Sequence, residues 1–269
     1  MIAGTTRLVG LIGDPVAHSL SPRMQNAAFR ELGLDWVYVP LHVKAAAVED
    51  ALRGLAALGF SGANVTIPHK LVACELCDEL SEVARRARSV NTVVVREDGT
   101  LFGTSTDGLA VTSAVEPEGA DVLLLGAGGA AQALAAAFVD VGIASLSISS
   151  AERSEELAVF ARALDPGLEV RELDWPPSGE GAKIIVNATP IKDELPVPPR
   201  ADQLVVDLAY KSDGMPTALI AAARQAGCPT VVDGLEVLVR QGAASFEYWT
   251  GIEAPIEVMR SAIRPELID

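Results

Sequence analysis

The chain has 269 residues, which is enough for two domains of ordinary size and a substantial core. Hydrophobic residues make up 49% of the sequence but aromatic residues only 4%, so we expect a core of Ala, Val and Leu, a mixture typical of parallel sheets covered by helices. With 21 Lys and Arg against 36 Asp and Glu, the formal net charge is −15, which makes nucleic acid and anionic membranes poor candidate partners. An anionic ligand would have to be held by local donors and helix N-termini.

The sequence predicts neither a targeting segment nor a membrane span. The first twenty residues lack the basic start and long apolar stretch of a signal peptide, and no apolar run approaches the ~18 residues of a span. Three cysteines cannot build a disulfide framework, so we expect a cytoplasmic protein. Cys74 and Cys77 form a C-x-x-C motif, but they continue a helical apolar pattern without a second ligand pair. This favours packing over a redox or metal role, and we expect no metal site.

Strands and helices alternate along the first hundred residues. The pattern predicts strands at 8–12, 36–42, 62–66 and 90–95, and helices at 21–33, 45–58, from 68 onward and at 82–88. We expect Ser21 to cap the first helix, with Pro22 as its first residue. Ser19 is not needed for capping, and two hydroxyls beside free helix N–H groups could hold a carboxylate.

The segment from Asn64 to Lys70 predicts a functional lysine. It follows a buried strand, and Pro68 fits the first position of the next helix, where its missing N–H costs nothing. Lys70 then lies in the first turn, where the macrodipole disfavours a cation by a few tenths to about 1 kcal/mol. The same field favours the uncharged amine, which suits a proton-transfer group. A solvated lysine that tolerates this penalty explains the seven residues equally well.

A second series of strands and helices begins after Asp107. The pattern predicts strands at 122–125, 146–149, 183–187 and 204–208, and helices at 128–141, 235–249 and 255–263. Repeated βα units predict a parallel sheet with helices on both faces, and hence an α/β protein. Asp107 falls at the expected start of a helix, and capping alone would explain it. The alternative is a carboxylate that orients Lys70.

Residues 126–131 read G-A-G-G-A-A, directly after a predicted strand and at the start of a helix. In this context the G-x-G-x-x-A pattern indicates dinucleotide binding. Gly126 permits a tight turn, Gly128 lets a pyrophosphate approach the backbone, and Ala131 allows close packing of helix and strand. A Gly-rich turn that binds nothing is the less favoured alternative.

The end of the following strand should distinguish NAD from NADP. NAD enzymes commonly place Asp or Glu there, and NADP enzymes place an Arg nearby. This chain has Ser149, Ser150 and Ala151 there, with Glu152 and Arg153 slightly late. These residues alone leave both cofactors open.

Taken together, these segments resemble the shikimate dehydrogenase family nearly end to end. The motifs that carry the resemblance lie at residues 13–22, 64–70, 90–92, 105–108, 126–130, 187–190, 207–210 and 234–241. Each is short, but their order and spacing are highly specific. The resemblance implies two α/β domains. One is a parallel-sheet substrate domain of residues 1–105 plus 237–269, and the other is a Rossmann-like dinucleotide-binding domain of residues 106–236.

The resemblance also implies an activity, the reversible reduction of 3-dehydroshikimate to shikimate with NADPH, on the route to aromatic amino acids. It implies that Lys70 and Asp107 are the catalytic proton-transfer pair, which reverses the capping interpretation of Asp107. The expected partner is a small carboxylate substrate, and the expected state is a monomer or homodimer. The residues implied for substrate binding are Ser19, Ser21, Thr66, Asn91, Tyr210 and Gln241. Those implied for cofactor binding are Gly126, Ala127, Gly128, Gly129, Ala130, Ser149, Arg153, Thr189 and Gly234.

The chain departs from the family pattern in several places. Gln25 stands where a His is usual, Ser105 where an Asn is usual, and residues 149–151 replace the Asn-Arg-Thr clamp for the adenosine 2′-phosphate. The resemblance implies NADP as the cofactor, and the replaced clamp leaves NAD possible. Two alternatives stay open: an NAD-using quinate/shikimate dehydrogenase, and a catalytically silent regulator that binds ligand on the same fold. Retention of Lys70 and Asp107 argues against the regulator.

Overall fold

The structure is a computed structural model that describes residues 2–264. The chain divides into two compact units. The first comprises residues up to Thr106 together with those from Leu238 onward, and the second comprises Asp107–Val237. Both junctions lie one residue later than the boundaries expected from the sequence.

The first unit is built on a six-stranded sheet in the order β2-β1-β3-β5-β6-β4. Parallel pairing joins β1 to β2 and β3, whereas β5 is antiparallel to both of its neighbours, β3 and β6. A tight turn at Gly99 reverses the chain between β5 and β6. The strands are β1 (Arg7–Gly13), β2 (Trp36–His42), β3 (Phe60–Val65), β4 (Glu79–Leu80), β5 (Thr92–Val95) and β6 (Leu101–Thr104). The helices are α1 (Ser21–Glu31), α2 (Val48–Ala57), α3 (Lys70–Leu76) and α4 (Glu82–Ala87).

The second unit has a parallel sheet in the order β12-β11-β10-β7-β8-β9. Its strands are β7 (Asp121–Leu125), β8 (Ser145–Ser149), β9 (Glu169–Leu173), β10 (Ile184–Asn187), β11 (Leu204–Asp207) and β12 (Thr230–Val232). Its helices are α5 (Asp107–Val115), α6 (Gly129–Asp140), α7 (Ser154–Leu164) and α8 (Ala218–Ala226). The strand order reverses between β7 and β10, and ligands of such sheets bind at the carboxyl ends of the strands beside this switch point.

Two C-terminal helices follow. α9 (Gly234–Thr250) starts in the second unit and continues into the first, and α10 (Ile256–Ile263) packs against α1. No helix within residues 2–264 is long and apolar enough to cross a membrane.

Each unit has its own aliphatic core, as the composition predicted. Small residues bring the helices of the second unit close together: a Cβ on Gly108 in α5 would lie only 2.5 Å from the Cβ of Ala137 in α6. Ala131 is fully buried in the same core, which confirms its predicted packing role. Only residues 126–128 separate β7 from α6, so the N-terminus of α6 lies directly after the strand.

Candidate functional site

Lys70 is the first residue of α3, so the prediction that it lies in the first helical turn is confirmed. The prediction that Pro68 opens this helix was wrong. The His69 N–H donates to the Thr66 carbonyl (2.9 Å), which closes a turn ahead of the helix, and His69 becomes the residue before its first turn. The buried His69 ring lies 2.6 Å from the Val43 carbonyl oxygen through Nε2. These bonds fix the backbone from which Lys70 starts.

The two serines expected to bind a carboxylate are neighbours at the start of α1. The helix begins at Ser21 itself, its capping position is Leu20, and no side chain caps it, so the predicted capping role of Ser21 was wrong. Ser19 instead accepts the Ser21 N–H (3.2 Å), and the two hydroxyl oxygens lie 3.3 Å apart. Because neither hydroxyl is explained as the cap of α1, the pair is available for an anion at this helix N-terminus.

A network of buried polar side chains, which sequence reasoning missed, centres on Asn64. The Tyr38 hydroxyl donates to Asn64 Oδ1 (2.8 Å), and Asn64 Nδ2 donates to the hydroxyls of Ser245 (2.9 Å) and Thr92 (3.2 Å) and to the Asn91 carbonyl (3.0 Å). All five residues are at most 5% exposed. Buried groups bonded in this way specify one arrangement. The network therefore ties β3, β5 and α9 together just before the Thr66–Lys70 segment.

Asn91 and Gln241, both expected near the substrate ring, are connected through Thr106. Asn91 Nδ2 donates to Thr106 Oγ1 (2.9 Å), and Asn91 Oδ1 accepts the Thr106 N–H (3.0 Å). The Thr106 hydroxyl in turn donates to the Gln241 carbonyl (3.0 Å). Asp107 follows Thr106 directly, is buried and is the first residue of α5. Asn91 therefore fixes the position of Thr106, which directly precedes Asp107 in the chain.

The Gly-rich loop of the second unit has the geometry that a dinucleotide requires. Gly126 has a φ of +100°, which favours glycine, and its N–H donates to the Ser149 carbonyl (2.9 Å). Gly128 is exposed and precedes α6, and a Cβ there would meet nothing within 4 Å. The first turn of α6 contains no acidic residue. Open space in front of a helix N-terminus without opposing charge fits a pyrophosphate.

The segment expected to contact the adenosine ribose combines one cation with several acidic residues. Ser149 is fully buried and its hydroxyl donates to the Asp174 carbonyl (2.8 Å), so this side chain faces the protein interior. Arg153 is exposed, and its Nε lies 2.8 Å from Glu156 Oε2. The first turn of α7 also contains Glu155. The structure therefore offers Arg153, but not Ser149, to a ligand.

The other predicted residues of the second unit lie at the carboxyl ends of β10, β11 and β12. Thr189 follows β10, Tyr210 follows β11 and Gly234 begins α9 just after β12. Tyr210 thus belongs to a different unit from the remaining residues expected to bind substrate. Gly234 must be glycine, because a Cβ there would lie 2.3 Å from the Ala209 carbonyl oxygen. Tyr210 and Gly234 both line a small pocket.

A fully buried carboxylate, Asp207, ends β11; it begins the 207–210 motif, but sequence reasoning assigned it no role. Burial raises its pKa to about 6, although hydrogen bonds from Thr217, Ala209 and Asn187 act in the opposite direction, and the charge of Asp233 raises it further. Desolvation of the charged form is the largest of these causes.

The raised pKa of Asp207 predicts that stability falls as pH rises. Between the reference value of 3.8 and about 6 the folded state holds a proton that the unfolded state has released. The free energy of unfolding therefore decreases across this window, by about 3 kcal/mol at ~1.36 kcal/mol per pKa unit, and is flat above it. Urea unfolding from pH 4 to 8 should show this slope as a difference between the wild-type protein and Asp207→Asn. Identical pH profiles of the two proteins would contradict it.

The C-x-x-C motif contains two free thiols. Burial raises the pKa of Cys74 and raises that of Cys77 to about 12. Redox and metal chemistry both need the thiolate, which these values disfavour. Within residues 2–264, no group of three or more His, Cys, Asp and Glu side chains could hold a metal ion.

Comparisons with known proteins agree with this geometry. A family model described as the shikimate dehydrogenase substrate binding domain matches residues 11–93, and one described as the shikimate 5'-dehydrogenase C-terminal domain matches residues 234–264. The shikimate dehydrogenase (NADP(+)) of Rubrobacter xylanophilus is 46% identical over 98% of both chains.

Two solved structures are similar over nearly the whole chain. A shikimate dehydrogenase in complex with NADP+ aligns with a TM-score of 0.89 and 34% identity, covering 100% of this chain and 98% of the other. The Thermus thermophilus enzyme in complex with NADP(H) and shikimate gives a TM-score of 0.84 and 32% identity, covering 97% of this chain and 100% of the other. With this likeness in sequence, motifs and architecture, the chain belongs to the shikimate dehydrogenase family.

Proposed function

We propose that this protein is an oxidoreductase that reversibly reduces 3-dehydroshikimate to shikimate with NADPH. The observation that carries the proposal is the end-to-end match to relatives of that name, in a chain that keeps Lys70 at the start of α3 and the Gly126–Gly128 loop before α6. The first unit is the proposed substrate domain and the second the proposed dinucleotide-binding domain.

In the proposed mechanism Lys70 is the proton donor and Asp107 its orienting carboxylate. NADPH supplies a hydride to the substrate ketone carbon when bound. Negative charge then develops on the ketone oxygen, and the Lys70 ammonium stabilises it and donates a proton to it. In the reverse direction the uncharged Lys70 amine accepts the proton of the alcohol. Asp107 holds the lysine and a substrate hydroxyl in position.

The proposed substrate contacts follow the motif match. Ser19 and Ser21 bind the carboxylate, supported by their adjacent hydroxyls at the start of α1. Thr66, Asn91 and Gln241 bind ring hydroxyls, supported by the network that holds Asn91 and the Gln241 backbone on Thr106. The proposed role of Tyr210 is a further substrate contact from the second unit.

NADP is the proposed cofactor, and Arg153 is the proposed partner of its 2′-phosphate. Two features favour only a moderate preference over NAD: the Arg153 guanidinium is already paired with Glu156, and Glu155 adds negative charge to the same turn. A 2′-phosphate must compete with the carboxylates of Glu155 and Glu156 for the Arg153 guanidinium. We therefore propose that NAD is accepted as a second cofactor.

The cellular setting follows from charge and thiol content. A net charge of −15 supports a protein without a nucleic-acid or membrane partner, and three free cysteines support a cytoplasmic location. The proposed assembly state is a monomer or homodimer.

The test is a steady-state assay of the purified protein with shikimate or quinate and either NADP or NAD, followed as reduced cofactor at 340 nm. We expect saturable turnover with shikimate, the higher kcat/KM with NADP, and measurable turnover with NAD. Binding of shikimate without turnover would favour a silent regulator and contradict the proposal. Turnover with quinate and NAD alone would replace it with the quinate-type activity.

A further inference from the structure

We propose that Asp207 is a positioning residue for the nicotinamide half of the dinucleotide. The inference rests on the proposed function, since it requires a bound dinucleotide. In a doubly wound sheet each half binds one mononucleotide, and the Gly-rich loop takes the pyrophosphate between them. In this sheet β7 and β8 belong to the half that would bind the adenosine. The carboxyl ends of β10 and β11, on the other side of the Gly-rich loop, are then left for the nicotinamide.

Asp207 connects the two loops that leave these strands. Its Oδ1 accepts hydrogen bonds from Asn187 Nδ2 (2.9 Å) and the Ala209 N–H (2.9 Å), and its Oδ2 accepts one from Thr217 Oγ1 (2.5 Å). Asn187 and Asp207 are register partners at the last positions of β10 and β11, and both are at most 1% exposed. One carboxylate therefore anchors both loops.

The first loop owes its shape to the orientation of the Asn187 amide. Because Asp207 accepts from the amide nitrogen, Asn187 Oδ1 faces away from Asp207 and accepts both the Thr189 N–H (3.0 Å) and the Thr189 hydroxyl (2.7 Å). This turn packs on the Gly-rich loop: a Cβ on Gly126 would lie 3.1 Å from the Ala188 carbonyl oxygen and 3.2 Å from Thr189 Cγ2. A rotation of Asn187 would therefore move the turn that borders the proposed pyrophosphate site.

The second loop is bonded to Asp207 near both of its ends. Ala209 holds its start, and Thr217, which accepts the Ile220 N–H (3.3 Å) as the cap of α8, holds its end. Tyr210 lies between these anchors, and Gly234 packs against the Ala209 backbone. Loss of the carboxylate would release the loop at both ends and change the wall of the pocket that Tyr210 lines.

A solely structural role would not call for a charge at this place. The three donors to Asp207 are neutral, and a buried carboxylate among neutral donors is expensive to keep ionised. An ionised carboxylate has only acceptors, whereas an amide also has an N–H₂ donor, so every group that faces Asp207 must point a donor toward it. The carboxylate thus admits one loop geometry, which suits a site that must place a nicotinamide accurately.

The test compares binding of the whole cofactor with binding of its adenosine half at pH 8, where Asp207 is charged. We expect Asp207→Asn to raise the Kd for NADPH by about 5- to 100-fold, because the amide has only one acceptor oxygen, so either the Thr217 hydroxyl or the N–H groups of Asn187 and Ala209 lose their buried acceptor. The Kd for 2′,5′-ADP should change by less than about twofold, since the Gly-rich loop and Arg153 are intact. Isothermal titration calorimetry measures both without turnover.

The control is Asp202→Asn, the same substitution on an exposed side chain before the other end of β11, and it should leave both Kd values unchanged. Equal weakening of NADPH and 2′,5′-ADP, or no weakening of either, overturns the inference. If Asp207→Asn does not fold, Thr217→Val removes one of the three donors instead and should give the same selective loss. A wild-type protein that binds neither probe contradicts the proposed function itself.

Discussion

Lys70→Ala is expected to lower kcat for shikimate oxidation, in which the lysine accepts the proton, by about 10²–10⁴-fold, the usual contribution of a positioned general acid or base. At ~1.36 kcal/mol per decade this equals roughly 3–5 kcal/mol of barrier. KM for shikimate should change much less, because the proposed role of the lysine is expressed in the transition state. Initial rates at 340 nm across a range of shikimate concentrations measure both quantities.

The matched control for this variant is Lys44→Ala, an exposed lysine of the same unit that precedes α2. Lys44→Ala also removes one lysine side chain and its positive charge, but away from the proposed site, so it should keep the wild-type kcat and KM. Near-native turnover of Lys70→Ala would remove the lysine from the mechanism. A large loss in both variants would point to charge or stability rather than proton transfer.

Local patterns predicted the parts of the site that are defined by neighbouring residues. The Gly126–Gly128 loop was predictable because a strand, a tight turn and a helix start are consecutive in the sequence, and Lys70 was placed in its helical turn for the same reason. The helix starts were less accurate. Ser21 and Pro68 are good residues for a helix start by type, but the choice of first residue depends on backbone bonds such as His69 to Thr66.

Long-range polar contacts could not be predicted from one sequence. Asn64 bonds Ser245, which is 181 residues away, and nothing near Asn64 in the chain specifies that partner. Asp207 likewise depends on Asn187 and Thr217, which belong to other elements. The available signal was a polar residue at the end of an apolar strand, as in Asn64, Asn187 and Asp207. Such a residue must find a partner when it is buried.

Gly62→Ala is expected to destabilise the first unit strongly. A Cβ on Gly62 in β3 would lie 2.2 Å from the Val93 carbonyl oxygen and 2.6 Å from Trp249 Nε1. These two atoms form a buried hydrogen bond of 3.0 Å that fastens α9 to β5. The methyl group must both overpack the site and break this bond, so we expect a loss of about 2–5 kcal/mol in the free energy of unfolding. Urea unfolding followed by tryptophan fluorescence measures it, since Trp36 and Trp249 both lie in this unit.

The same substitution at Gly54 should have the opposite sign, and the pair separates a steric cause from a general effect of glycine replacement. Gly54 lies inside α2, and a Cβ there would meet nothing within 4 Å. Ala is the better helix former and restricts the unfolded chain, so Gly54→Ala should stabilise by about 0.5–1 kcal/mol. If both variants shift stability in the same direction, the clash at Gly62 is not the cause. If only Gly62→Ala weakens the unit, the close packing at Gly62 is what lets α9, and with it Gln241 and Ser245, lie against the sheet that leads into the Lys70 segment.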